Sequence, residues 1–132
     1  MADKTVVRTE TAPAPFQSAP YSQAIVAGGL VFVSGQLGLT PDHGEMVGET
    51  IQEQTEQVFA NVRAILEEAG TGLDRLVKTT VYLADLGDFA GMNEVYARHV
   101  GEQPPARATI EVSALPSGAK VEIEAIATTE LP

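Results

Sequence analysis

The stretch SQAIVAGGLVFVSG, residues 22–35, decides the fold because it contains two apolar runs joined by a pair of glycines. β-Branched residues are frequent in both runs, and such residues favour strands. Gly28 and Gly29 adopt positive φ angles readily, and a two-residue hairpin turn requires these angles at its central positions. The stretch therefore predicts a β-hairpin with strands at about 22–27 and 30–35.

The residues that follow the hairpin predict a loop and then a long amphipathic helix. Pro-Asp and three glycines indicate the loop. Thr50 and Glu53 have the spacing of a capping box, and Gly70 is typical of the residue that follows a helix C-terminus. Apolar residues recur at helical spacing between these points, which predicts a helix over 51–69 with several glutamines, including Gln54, on its polar face.

The rest of the chain completes an α+β pattern. A weak alternation at 4–9 indicates a short first strand, and the element order is β-ββ-α-β-α-ββ. This order favours a single mixed β-sheet with both helices packed on one face. The remaining predicted elements are a strand at 76–83, a helix at 88–99 with Phe89 on its apolar side, and strands at 106–113 and 119–127.

Length, composition and charge indicate one globular domain. The chain has 132 residues, of which 44% are hydrophobic, and it has no cysteine and two histidines. These counts exclude disulfides, thiolate metal sites and a cysteine nucleophile. The net charge of −10 makes nucleic acid and anionic membranes poor partners. Without a signal-like or spanning segment, we expect a cytoplasmic single domain, 1–132, with an N-terminal strand and a Pro/Ala-rich loop in 1–15.

Two helices cover only one face of the predicted sheet, and the hairpin is apolar at successive positions. Successive strand residues point to opposite faces, and a strand that is apolar on both sides is typically buried on both sides. We therefore expect the second face to be buried against other copies of the chain, with a polar pocket where the copies meet. The alternative is a monomer with a partly apolar exposed sheet.

Arg107 is the first candidate site residue because a guanidinium can bind a carboxylate through two parallel hydrogen bonds. Strand alternation predicts that Arg107 shares the uncovered face with Glu111, Glu122 and Glu124. An ion pair between Arg107 and one of these glutamates is the alternative. A partly buried glutamate beside a bound acid would have a raised pKa and could transfer protons, although alternating glutamates are also typical of a solvated edge strand.

Further candidates lie around the hairpin and on the second helix. Tyr21 precedes the hairpin and can line a pocket, whereas packing is the alternative. Ser34 and Gly35 end the hairpin, where a glycine permits a ligand to approach the backbone, although an ordinary strand end has the same pattern. Phe89 has the helical spacing that is typical of a core residue. The sequence has no Gly-x-Ser-x-Gly nucleophile elbow.

Five segments of the chain carry a resemblance to a known family: PYSQAI (20–25), VFVSGQLGL (31–39), MNEVYARHV (92–100), PPARATIEV (104–112) and KVEIEAIA (120–127). They resemble the Rid (reactive intermediate deaminase) family, and most closely its RidA subfamily of enamine/imine deaminases. The resemblance covers about residues 16–130. It implies a chorismate-mutase-like fold, a homotrimer with ligand sites at subunit interfaces, and no cofactor. It also implies hydrolysis of 2-imino acids, such as those from 2-aminoacrylate and 2-aminocrotonate, to 2-keto acids and ammonia.

The same resemblance implies roles for individual residues. Arg107 matches the arginine that binds the substrate carboxylate. Glu122 matches the glutamate that positions the attacking water, with Glu124 as the alternative in the same Glu-x-Glu pattern. Thr109 stands where many bacterial members have cysteine, so either its hydroxyl replaces the thiol or the thiol is not required. The remaining positions match residues that line or border the pocket: Tyr21, Ser34, Gly35, Phe89 and Asn93.

Two other functions stay open at this point. The same arginine in a non-catalytic module would bind a keto acid without turnover. An endoribonuclease or translation inhibitor is a second alternative, because that activity is often attached to this family. The acidic charge and an aromatic content of 5% argue against RNA binding.

Overall fold

The computed structural model describes residues 3–129, so residues 1–2 and 130–132, at the ends of the predicted domain, lie outside the described residues. Six strands and two helices form one α+β layer pair, as predicted. The elements are β1 (Thr5–Val7), β2 (Ala24–Ala27), β3 (Leu30–Gln36), α1 (Ile51–Glu68), β4 (Leu76–Leu83), α2 (Phe89–Val100), β5 (Ala106–Glu111) and β6 (Val121–Thr128).

The strands form a single mixed sheet in the spatial order β1-β2-β3-β6-β4-β5. The neighbouring strands β4 and β5 run parallel, and the other described pairs run antiparallel. The parallel pair requires a crossover, and α2 provides it. This topology places β5 at one edge of the sheet, next to α2, and the hairpin near the opposite edge.

Local sequence signals form the turns and helix ends as predicted. Gly28 and Gly29 take φ angles of 59° and 77°, as the hairpin turn requires. The backbone N–H of Glu53 donates to Thr50 Oγ1 at 3.0 Å, and the Thr50 N–H donates to Glu53 Oε1 at 3.3 Å, which completes the capping box. Gly70 follows α1 with a φ of 83°.

Gln54 is wrongly predicted to lie on the polar outer face of α1. Its side chain is buried, donates from Nε2 to the Gly48 carbonyl at 3.0 Å and accepts at Oε1 from the Lys120 N–H at 2.8 Å. Helical periodicity treats a glutamine as solvent-facing. Here the amide pairs backbone groups that would otherwise lack partners, and so it joins the loop before α1 to the start of β6.

Both helices pack on one face of the sheet and build the main core there, which confirms the predicted layers. Among the helices of residues 3–129, none is long and apolar enough to span a membrane. The core contains large side chains that are almost completely buried, among them Phe59 and Ile65 of α1, Met92 of α2, and Val31, Val81 and Ile123 of the sheet.

The opposite face of the sheet is open in the single chain. The strand registers align Val6, Ile25, Phe32 and Ile126 across β1, β2, β3 and β6, so these residues form one apolar row. Val6 is 47% exposed and Phe32 is 42% exposed. A row of apolar side chains of this kind on an uncovered sheet is typical of a surface that another protein chain covers.

Candidate active site

The structure divides the predicted site residues into two groups on opposite faces of the sheet. The first group is on the helix side, at the edge formed by β5 and α2, and we call it the arginine cluster: Phe89, Asn93, Arg107 and Thr109. The second group is on the open side, near the end of β3, and we call it the glutamate cluster: Tyr21, Ser34, Gly35, Glu122 and Glu124.

The prediction that Arg107 shares a face with Glu122 and Glu124 is wrong, whereas Glu111 does lie on the same face of β5 as Arg107. Arg107 pairs with Thr79 across β4 and β5, whereas Glu122 pairs with Tyr82 across β4 and β6. Thr79 and Tyr82 are three residues apart on one strand, so their side chains point to opposite faces. Arg107 therefore lies on the helix side and Glu122 on the open side.

The reason for this difference is the position of β5 at the sheet edge. Alternation in the sequence identifies the two rows of side chains on a strand. The prediction then places the more hydrophobic row on the side that the helices cover. In β5 the apolar row, Ala108 and Ile110, faces the open side, and both residues are exposed. The polar row faces α2, which supplies an amide and two aromatic rings as partners for Arg107.

Helix α2 orients the guanidinium of Arg107. Its Nη1 donates to Asn93 Oδ1 at 2.7 Å, and its Cζ lies 4.7 Å from the ring centroid of Tyr96 and 5.5 Å from that of Phe89. Cation–π contacts of this geometry stabilise the charge without neutralising it. In the described part of the chain no carboxylate forms an ion pair with Arg107, so the intrachain ion pair that the sequence left open is absent.

Tyr96 belongs to this cluster and was missed as a site residue in the sequence. Its ring is buried, and its hydroxyl is hydrogen-bonded to Thr79 at 2.6 Å. Asn93 is four residues after Phe89 and three before Tyr96, so one face of α2 carries all three side chains. This spacing in the sequence could have indicated that Tyr96 belongs with Phe89 and Asn93. Phe89 itself, predicted on the apolar side of the helix, is 41% exposed beside Arg107.

Thr109 follows Arg107 on the same face of β5. Its Oγ1 is buried and has no hydrogen-bond partner among the described residues. A buried hydroxyl without a partner is uncommon, and water or a ligand atom usually provides the missing bond. The arginine cluster therefore contains one cation and one unsatisfied hydroxyl.

Four members of the glutamate cluster, all except Glu124, line a cavity of about 320 Å³. Glu122 is half-buried in its wall, and Glu124 does not line it. Burial raises the pKa of the Glu122 carboxyl, and the negative charge of Glu124 raises it further. The cavity wall includes Phe16, Tyr21, Ser34, Leu37, Pro116 and Glu122.

Gly35 allows the carboxylate of Glu122 to lie directly against the β3 backbone. A Cβ atom at residue 35 would be 2.9 Å from Glu122 Cδ and closer still to Oε2. The register between β3 and β6 also shifts between Val33 and Gln36, next to this point. Gly35 thus leaves the space that the Glu122 carboxylate occupies, which gives the predicted glycine a physical role in the cluster.

The variant Gly35→Ala is expected to fold and to lose about 100-fold in any activity that uses Glu122. The new methyl group displaces a flexible carboxylate rather than backbone, and a misplacement of ~1 Å is enough for a loss of this size. Gly72→Ala is the matched control, because its Cβ would approach only Asp74 Oδ1, at 3.0 Å. Circular dichroism and initial rates would measure both effects, and an unchanged rate in Gly35→Ala would contradict the prediction.

Two further observations define the surroundings of the clusters. A larger cavity, of about 410 Å³, lies beside the N-terminal segment and contains Tyr21 but neither Arg107 nor Glu122. Within residues 3–129, no three histidine, aspartate or glutamate side chains come together as a metal-binding group.

Comparison with known proteins identifies the family. Residues 9–129 match the family model described as Endoribonuclease L-PSP. Reactive Intermediate Deaminase A of Arabidopsis thaliana is 53% identical over 125 residues, which are 95% of this chain and 66% of that protein. The human 2-iminobutanoate/2-iminopropanoate deaminase is 43% identical over 117 residues, which are 89% of this chain and 85% of that protein.

A solved structure shows the same fold. The crystal structure of Escherichia coli TdcF with bound serine has a TM-score of 0.88 and 37% sequence identity, and the match covers 96% of this chain and 99% of that one. The single mixed sheet with two helices on one face is thus the chorismate-mutase-like fold that the resemblance implied. The chain belongs to the Rid family of reactive intermediate deaminases, in its RidA subfamily.

Proposed function

We propose that the chain hydrolyses 2-imino acids to 2-keto acids and ammonia, at sites between the subunits of a homotrimer. The observation that carries this proposal is the pair of clusters. One face has an oriented arginine that has no acidic partner among residues 3–129, and the other has a half-buried glutamate in a cavity. Relatives named as deaminases of reactive intermediates and of 2-iminobutanoate support the reaction. The relative with bound serine supports a small ligand with a carboxylate.

The two clusters of one chain do not reach a common small ligand. Arg107 is on β5 and Glu122 is on β6, and β4 lies between these two strands. Two strand spacings place the axes of β5 and β6 about 9–10 Å apart, and the two side chains point to opposite faces of the sheet. A second copy of the chain that covers the open face supplies the missing cluster. Repeated head-to-tail around a ring, this contact gives a closed trimer with one site at each interface.

In this site Arg107 binds the substrate and orients it. Its fork of N–H donors matches the substrate carboxylate, and Asn93 and the ring of Tyr96 hold the fork in place. Binding also withdraws charge from the carboxylate, so the adjacent imine carbon becomes more reactive toward water. Arg107 contributes position and charge, while the proton transfers fall to the glutamate cluster.

Glu122 acts as a base and then as an acid. Its carboxylate takes a proton from water while the water oxygen bonds to the imine carbon, and the π electron pair of the C=N bond moves to nitrogen. Glu122 then gives this proton to the nitrogen. The Glu122 carboxylate next takes the proton of the new hydroxyl group and passes it to the amino nitrogen, so the carbon–nitrogen bond breaks, neutral ammonia leaves and the keto group forms. A rate increase of ~10³, about 4 kcal/mol, is sufficient because free imines already hydrolyse in water.

The decisive experiment measures imine loss directly. A pyridoxal-phosphate-dependent dehydratase supplies 2-iminobutanoate from threonine, and semicarbazide competes for the imine and reports its concentration by absorbance. The proposed activity lowers semicarbazone formation and raises the rate of keto-acid and ammonia release. Imine loss at the rate of buffer alone would favour a module that binds keto acids without turnover. Cytoplasmic location and independence of any cofactor stay predictions.

Cleavage of RNA is less compatible with this surface. The chain has 8 lysines and arginines against 18 aspartates and glutamates. Proteins that bind RNA backbones need a cationic surface and usually aromatic stacking platforms. The family description that names an endoribonuclease is a property of the family model, and the two clusters described above fit a small carboxylate better.

The hydroxyl of Thr109 is expected to contribute to substrate binding. In Thr109→Val the hydroxyl is replaced by a methyl group of the same shape, so we expect KM to rise about tenfold with kcat nearly unchanged. The free energy of unfolding should increase by about 1 kcal/mol, because a buried polar atom without a partner is removed. Thr109→Ser keeps the hydroxyl and should keep the KM. An unchanged KM in the valine variant would exclude this role.

A further inference from the structure

We propose that Tyr82 and Glu124 form a positioning pair that holds the Glu124 carboxylate beside Glu122 and thereby sets the pH range in which Glu122 acts as a base. This inference rests on the proposed function, because it concerns the protonation of the same glutamate. Neither residue lines the cavity that contains Glu122. Their effect on the reaction is therefore exerted through Glu122.

The strand register places the three groups together. Tyr82 lies directly opposite Glu122, and Thr80 lies directly opposite Glu124, so all four side chains are on the open face. The Tyr82 hydroxyl crosses diagonally to Glu124 and donates a short hydrogen bond to its Oε1. One side chain thus packs beside Glu122 and also fixes the neighbouring carboxylate on the same strand.

The electrostatic consequence follows from this arrangement. The hydrogen bond to Glu124 is the main cause that raises the pKa of Tyr82 to about 12, so the phenol stays a donor throughout the neutral range. The charge of Glu124, after burial, raises the pKa of Glu122. The held carboxylate therefore favours the protonated form of its neighbour.

Few other charged or titratable groups face Glu122. The end of β3 contributes Ser34 and Gly35, which do not titrate, and the loop before β2 contributes Tyr21. Lys78 lies on the same face of β4 but pairs with Ile126, farther along β6. In the proposed trimer, Arg107 of a second copy faces Glu122 and acts in the opposite direction to Glu124. The balance between this arginine and Glu124 then decides the protonation of Glu122.

Replacing Glu124 or Tyr82 is expected to move the pH profile of the reaction toward lower pH. The water-activating form of Glu122 is the carboxylate, so kcat/KM falls when the pH drops through the pKa of Glu122. Glu124→Gln removes a negative charge and lowers that pKa, so the acidic limb of the kcat/KM profile moves to lower pH. Tyr82→Phe releases the Glu124 carboxylate toward solvent, so we expect a smaller movement in the same direction.

The experiment compares the wild-type protein with Glu124→Gln, Tyr82→Phe and the matched control Glu67→Gln. Glu67 is exposed on α1, so its replacement changes the net charge equally without removing a charge beside Glu122. Each protein is titrated from pH 4 to 9 in two ways: by the kcat/KM of imine loss, and by the ¹³C carboxyl resonance of Glu122, assigned with Glu122→Gln. The expected result is a downward shift of both midpoints in Glu124→Gln and not in the control.

The two readouts separate this inference from the proposed function. Absence of imine hydrolysis in the wild-type protein would overturn the function, whereas the carboxyl titration would still test the charge pair. Unchanged midpoints in Glu124→Gln, or equal shifts in Glu67→Gln, would overturn the inference even in a fully active enzyme. If Glu124→Gln does not fold, Tyr82→Phe provides the same test, because a phenyl ring keeps the packing and removes only the hydrogen bond.

Discussion

Arg107→Ala is expected to reduce imine loss to the rate observed in buffer, a decrease of about 10³-fold. The guanidinium is the one cation of the arginine cluster, and among the described residues it has no acidic partner, so its charge is available to a substrate. Without it the carboxylate is neither held nor neutralised, and the cavity that contains Glu122 has no means of orienting so small a molecule. The measurement is ammonia release in the dehydratase-coupled assay.

One control replaces another arginine, on α2, and the other replaces Arg107 by a second basic residue. Arg98→Ala removes an exposed arginine of α2, whose nearest acidic contact is Glu56 at 3.9 Å, and should retain full activity. Arg107→Lys keeps the charge but lacks the planar fork that binds a carboxylate through two bonds, so we expect a partial loss. Full activity in Arg107→Ala would refute the assignment of this residue to substrate binding.

The sequence was sufficient to predict the order of elements and the layers of this fold. Local interactions determine these features: two glycines with positive φ angles make the hairpin turn, and Thr50 with Glu53 starts α1. Such signals act over three or four residues and do not depend on the rest of the chain. Local signals did not predict the burial of Gln54, because tertiary packing brings its partners, Gly48 and Lys120, next to it.

The candidate site was less predictable, because residue identity does not determine which face of an edge strand a row occupies. Periodicity correctly separated Arg107 from Ala108 but assigned the wrong face to the arginine. In the structure, Arg107 lies on the face of β5 next to α2, where Asn93 and Tyr96 contact its guanidinium directly. The consequence is large: with Arg107 on one face and Glu122 on the other, the proposed site requires two chains.

That requirement leads to a complementation test with a large expected effect. Arg107→Ala and Glu122→Gln chains are each expected to be inactive alone, since loss of a general acid–base group typically costs ~10²–10⁴-fold. Trimers that contain both kinds of chain should recover activity. Chains with two different affinity tags, refolded together and purified on both tags in succession, provide such mixed trimers. Circular dichroism would confirm that each variant folds before mixing.

The amount of recovered activity identifies the arrangement. In a head-to-tail ring of three, each site takes its arginine from one chain and its glutamate from the next. Every mixed trimer then has one intact site, so we expect about one third of the wild-type activity per trimer. A two-membered ring would give about one half by the same count. If Arg107 and Glu122 of one chain worked together, no mixed trimer would contain an intact site, and the absence of any recovery would contradict a site shared between copies.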